Sequence, residues 1–206
     1  MIEPWNYFCT PVYSVMWTDY LETTKKVSQE YLENTKKINE FNSVYPMYQT
    51  ANMHEDERLK PLASDILKQS YKILDGQGYD LTYYRLFFTE FWAQEHYKLS
   101  GQERHVHGYN NVLTGFYFID CPENSCKLVI HEPRSAKEFG NYLPEKNVND
   151  LTLASQAINF LPEPGKLMIT NSWLHHTFTK NESDDNFLMI HFNISAIYEE
   201  KTATIV

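Results

Sequence analysis

No stretch of this sequence stays apolar for the roughly 18–20 residues that a membrane-crossing helix needs. The start, Met1-Ile2-Glu3-Pro4-Trp5, has neither the basic lead nor the apolar run of an export signal, so a cytoplasmic protein is expected. Paired cysteines are missing as well. Cys9, Cys121 and Cys126 are an odd set without a C-x-x-C spacing, which in that compartment reads as reduced thiols. Positive charge is scarce: 18 Lys and Arg stand against 27 Asp and Glu, a net charge of -9. Such a balance argues against a surface built for the phosphate backbone of nucleic acid, although it leaves a nucleotide in a local pocket open. Internal repeats and low-complexity segments are also absent.

What is present suits a packed interior. Hydrophobic residues make up 42% of the chain and aromatic ones 15%, and 206 residues suit one domain rather than two cores. The texture changes near residue 80, so residues 1–78 read as a mainly helical support and residues 79–197 as the β core of a single domain spanning 1–206. Residues 18 to 41 lack Gly and Pro and place Tyr20, Val27, Tyr31 and Ile38 at helical spacing. A second helix is expected from about Glu55 to Leu74, with Pro61 as an alternative start. Beyond Tyr79, strands are expected at Tyr83–His96, Glu103–His107, Val112–Asp120, Lys127–His131, Lys166–Thr170, His176–Thr179 and Phe187–Ser195. Turn-forming clusters separate them, a rhythm that points to a sandwich or barrel. The polar stretch from Arg134 to Leu151 reads as a loop over the barrel mouth.

Seven of the eight histidines lie between positions 96 and 191. In Glu103-Arg104-His105-Val106-His107, alternation along a strand puts His105 and His107 on one face. Two imidazoles so placed can reach one metal ion at about 2.1 Å each. Glu103 shares that face and is open as a ligand or as an acceptor behind one. Ser172-Trp173-Leu174-His175-His176 follows about seventy residues later and can add the distal histidine that non-haem iron sites use. Either motif alone also fits histidines with no metal. On the first β-core strand, Glu90, Trp92, Gln94 and His96 alternate and form a polar face toward the pocket.

Together the motifs carry a family pattern. His105-Val106-His107 followed by Thr114-Gly115-Phe116-Tyr117-Phe118 resembles the H-x-H…(S/T)-G-(F/V)-Y-(F/Y) signature of a family of 2-oxoglutarate and Fe(II)-dependent oxygenases, frequent in bacteria and tailed cyanophages. The segments Cys121-Pro122-Glu123, His131-Glu132-Pro133-Arg134, Pro164-Gly165-Lys166-Leu167, Ser172 to His176 and His191-Phe192-Asn193-Ile194 match further elements in order, with Glu132 in place of the usual Asp. The likeness covers roughly residues 80 to 197. It implies a mainly β fold, a double-stranded β-helix of jelly-roll or cupin-like type with N-terminal bracing helices. It implies Fe(II) and 2-oxoglutarate as cofactors, O₂ as co-reactant and hydroxylation of an unspecified substrate. For a phage-encoded member the compartment is the host cytoplasm. Spacing within the tryptophan motif assigns the distal ligand to His176 rather than His175.

Two departures matter. The familiar H-x-D…H triad has His107 where the aspartate stands, giving His105, His107 and His176, or else Glu103 with one histidine moved outward. The family's Arg for the far carboxylate of 2-oxoglutarate, just before (H/S)-F-N, is replaced by Phe187-Leu188-Met189-Ile190. Lys127 is then the first substitute and Arg134 the second, with Lys180 further off and Tyr117 as a hydrogen-bond partner of the cosubstrate. Two other readings remain: a cupin-like metal-binding scaffold without turnover, and a three-histidine iron dioxygenase that does not use 2-oxoglutarate.

Overall fold

The computed structural model describes Glu3, residues 8–140 and residues 142–199. In chain order its elements are β1 (Val12–Met16), α1 (Leu21–Ile38), β2 (Met47–Gln49), α2 (Lys60–Gly76), β3 (Tyr84–His96), β4 (Gln102–His105) and β5 (Asn111–Asp120). There follow β6 (Leu128–His131), α3 (Ser135–Gly140), β7 (Ala157–Phe160), β8 (Lys166–Asn171), β9 (His176–Phe178) and β10 (Phe187–Tyr198). A six-stranded sheet in the order β1-β8-β5-β10-β3-β2 faces a four-stranded sheet in the order β4-β9-β6-β7. Every pairing in both is antiparallel. This is the double-stranded β-helix expected from the motifs.

The large sheet is buried on both faces along β10, whose first nine residues are all buried although His191, Asn193 and Ser195 are polar. Its outer face carries Leu188, Ile190, Phe192 and Ile194, which join Val27 and Leu32 of α1 and Leu62 and Ile66 of α2 in one cluster. The helices therefore brace the sheet. Pro61 sits in the first turn of α2, where its missing N–H costs no helical bond, so the helix starts there rather than at Glu55. Gly115 of β5 pairs with Phe192; a Cβ there would come within 2.2 Å of the Phe192 ring and 2.7 Å of the Met168 carbonyl. Only glycine fits under that ring.

Three strands are absent from the sequence expectation: β1, β2 and β7. They are short edge strands, and β1 and β7 are largely exposed, so neither carries a sustained alternation that could announce it. Helix α3 likewise interrupts the stretch expected to be loop. None of the helices is long and apolar enough to cross a membrane among the described residues.

Candidate metal centre

His105 ends β4 and faces His176, the first residue of β9, across the small sheet. The register slips between Gln102 and His105: three steps on β4 match two on β9, from Phe178 to His176. This bulge breaks the simple alternation that placed Glu103 beside His105, and Glu103 lies exposed, outside the histidine cluster. His107 lies past the end of the strand, tied by its backbone N–H to the Ser172 carbonyl at 2.9 Å. The expected strand over Glu103–His107 therefore stops at His105, yet the two rings still meet.

His105, His107 and His176 each offer a nitrogen, all within 4.8 Å of one another. The Nε2 atoms of His105 and His107 are 3.1 Å apart. Hydrogen bonds set the tautomers. His105 Nδ1 donates to the Glu103 carbonyl at 2.6 Å and His176 Nδ1 to the Leu174 carbonyl at 3.1 Å. Each Nε2 is therefore left with a bare lone pair, the form a metal ligand needs. His176 Nε2 is buried and has no partner within the protein. Burial pushes the His176 ring down to about 3 and the His107 ring down to about 4, with neighbouring histidines adding to the effect. Neutral rings with an orphaned buried nitrogen fit a cation of the Fe(II) type. His175 is only half-buried and its carbonyl accepts from the His131 N–H, so it stands outside the cluster.

A second group adjoins the first. On the inward face of the large sheet Glu90 pairs with Asn193 and Trp92 with His191, so the first two residues of the polar row read from β3 adjoin the site, while Gln94 and His96 lie farther along, opposite Met189 and Phe187. A bulge between Asn193 and Ile194 leaves Thr89 unpaired and fixes Glu90 opposite Asn193. Glu90, His107 and His191 again offer ligand atoms within 4.8 Å of one another. His191 was not among the expected site residues. Its signal was its place two residues before Asn193, on the same face of the strand.

Deeper between the sheets the character changes. Phe116, Phe118, Cys126, Leu128, Ile130, Met168, Phe178, Phe187 and Met189 form one buried apolar cluster. Phe187 and Met189 point inward where the family's arginine would stand, and a dicarboxylate has no cationic partner among these residues. The three residues expected to hold 2-oxoglutarate are dispersed. Tyr117 faces the helices, its hydroxyl donating to the Trp17 carbonyl at 2.7 Å. Lys127 is exposed at the end of β6 away from the mouth, and Lys180 is exposed too. Arg134 is at the mouth, paired through Nε with Glu132 at 2.7 Å, and Lys137 meets the same carboxylate at 2.7 Å. The Arg134 guanidinium holds the Glu132 carboxyl down at about 2. These groups, with Val12, Ile130 and Leu153, border a cavity of about 700 Å³. Ile130 pairs in register with His176, which puts the cavity level with the histidines.

The fold is widely shared. The structure is similar to the non-heme alpha ketoglutarate dependent epimerase SnoN from nogalamycin biosynthesis, with a TM-score of 0.65 at 10% identity over 95% of this chain and 81% of that one. It is similar to a Pseudomonas putida prolyl-4-hydroxylase, with a TM-score of 0.59 at 8% identity, covering 90% and 92% of the two chains. A collagen prolyl hydroxylase of Paramecium Bursaria Chlorella virus-1 gives 0.58 at 10% identity, covering 90% and 96%. No curated protein matches the sequence. Residues 90–193, which hold every histidine described above, match the model of the family described as "Putative 2OG-Fe(II) oxygenase". With half of its length inside that match and the iron-type histidine cluster within it, the chain belongs to the 2-oxoglutarate and Fe(II)-dependent oxygenase family.

Proposed function

We propose that this protein is a hydroxylase whose Fe(II) is held by Nε2 of His105, His107 and His176. The observation that carries the reading is the pair of backbone-pinned tautomers, which leaves bare nitrogens converging on one point. Iron in such a centre supplies the activation of O₂, and the protein supplies orientation and a dry wall. His105 and His176 are held from the strand sides and cannot turn without breaking their Nδ1 bonds. His107 closes the third corner from the loop beyond β4. Phe116 lies against His176 with ring centroids 5.3 Å apart and excludes water from the inner side. The substrate is assigned to the cavity at the mouth, level with His176. A hydroxylation reading draws support from two of the named structural relatives being prolyl hydroxylases.

Arg134 is the one expected cosubstrate residue that borders this cavity, and it is proposed as the partner for a carboxylate entering there. The apolar interior behind the metal offers no cation to the far carboxylate of 2-oxoglutarate. That same observation favours a second reading, a three-histidine iron oxygenase working without 2-oxoglutarate. Anaerobic addition of 2-oxoglutarate to the Fe(II)-loaded protein separates the two. A visible charge-transfer band supports the first, and its absence with iron bound supports the second. The ligand set is tested by Fe(II) or Co(II) titration. His176→Ala should weaken binding by about a hundredfold or more, the upper scale for disturbing a metal site, and His175→Ala should leave it unchanged. Equal losses in both would overturn the assignment.

A further inference from the structure

His191 is 3% exposed. The Thr114 hydroxyl lies 3.3 Å from both the Phe192 carbonyl and His191 Nε2; when it donates to the carbonyl, its oxygen accepts from Nε2–H. His191 Nδ1 is buried and without a partner among the described residues, and in that tautomer it is a bare lone pair. A second bare nitrogen lies nearby. His107 Nδ1 is 3.0 Å from Asn193 Nδ2, an amide nitrogen that can only donate, so Nδ1 is the acceptor. The same amide nitrogen donates to the Glu90 carboxylate. Two imidazole lone pairs and one carboxylate thus converge, with ligand atoms within 4.8 Å of one another. Asn193 is 0% exposed and its Oδ1 has no partner.

We propose that Glu90, His107 through Nδ1 and His191 through Nδ1 form a second divalent-cation site, joined to the first by the ring of His107. Two imidazoles and one carboxylate are a donor set for a first-row divalent metal such as Fe(II), Co(II) or Zn(II). The site gives the orphaned Nδ1 of His191 a partner, which a structural role for Glu90 alone does not. It also brings one negative charge beside a centre otherwise made of neutral rings. Filling both positions at once would require His107 to give up its remaining ring proton to solvent. The inference shares only His107 with the proposed hydroxylase centre.

The test is metal content per chain. Full-length apo-protein is equilibrated anaerobically with Fe(II), and separately with Co(II), desalted and measured by mass spectrometry of the metal. Wild type should hold two ions. Glu90→Gln, nearly isosteric, and His191→Phe should each hold one, as should His176→Ala, which keeps the second site. His107→Ala should lose both. One ion in wild type, kept in Glu90→Gln and lost in His176→Ala, overturns the second site and leaves the first standing. One ion kept in His176→Ala and lost in Glu90→Gln upholds the Glu90 site and overturns the ligand set proposed for the hydroxylase. No ion in wild type overturns both.

Discussion

The inward face of β3 and β10 has two ends of opposite character. At the mouth, Glu90 pairs with Asn193 and Trp92 with His191, while at the far end Gln94 meets Met189 and His96 meets Phe187. The mouth end carries several polar atoms with no partner, including His191 Nδ1 and Asn193 Oδ1, while the far end, where His96 Nε2 is also unpaired, is otherwise filled by apolar and aromatic side chains. A buried polar atom left unpaired costs about 1–3 kcal/mol. The apolar end offsets that cost by close packing. At the far end Phe187 and Met189 fill the space with apolar packing, where the resemblance implies an arginine.

Putting the charge back should give the largest effect. Phe187→Arg places an unpaired cation among Phe118, Phe178 and Met189 and should lower stability by about 3–5 kcal/mol in denaturant unfolding. If the far end can still act as a carboxylate pocket, 2-oxoglutarate will restore part of that loss; no restoration would mean the packing has closed it for good. A smaller effect tests His96, whose Nδ1 sits 2.8 Å from the Ser100 hydroxyl while Nε2 has no partner. Burial pushes its pKa down to about 4. Below about pH 6.5 the unfolded chain takes up a proton that the fold refuses, so stability present above that pH is lost as pH falls toward 4. His96→Phe should reduce this pH dependence by on the order of 2–3 kcal/mol across that window; an unchanged slope between pH 6.5 and 4 would show that His96 is not responsible. The smallest change is expected at the mouth. Arg134→Ala should raise the apparent dissociation constant for a carboxylate cosubstrate by about tenfold, near 1.4 kcal/mol, while Lys127→Ala should not move it. An effect at Lys127 would place the anchor at the other end of the barrel.

The histidine cluster was legible because strand alternation puts His105 and His107 on one face and the family resemblance adds His176 as the distal ligand. The polar row from Glu90 to His96 was legible for the same reason of strict alternation. Tyr117 was not. In Thr114-Gly115-Phe116-Tyr117-Phe118-Ile119 one face carries Phe116 and Phe118 and the other Tyr117 and Ile119, so both faces are aromatic or apolar and the pattern carries no cue to which is inward. The pairing of Phe116 with His191 decides it and sends Tyr117 to the helices. Glu103 was misplaced by a bulge, and Thr89 marks another; an inserted residue leaves no trace in alternation until a partner strand is known. Lys127 followed from a strand start that is real, but the strand runs toward the mouth, so its first residue is the farthest from the metal.

The proposed iron ligands come from two distant parts of the chain, one at the end of β4 and in the loop beyond it, the other at the head of β9. An ion shared by His105 and His176 closes a loop of about seventy residues, and a closure of that span removes conformational freedom from the unfolded chain. A covalent cross-link over the same span contributes on the order of 4 kcal/mol. The ion therefore acts as a reversible staple as well as a reagent. Chelation should then lower the melting temperature of the whole β core and speed hydrogen exchange first at Val106 to Asn110, the segment joined to the barrel through His107.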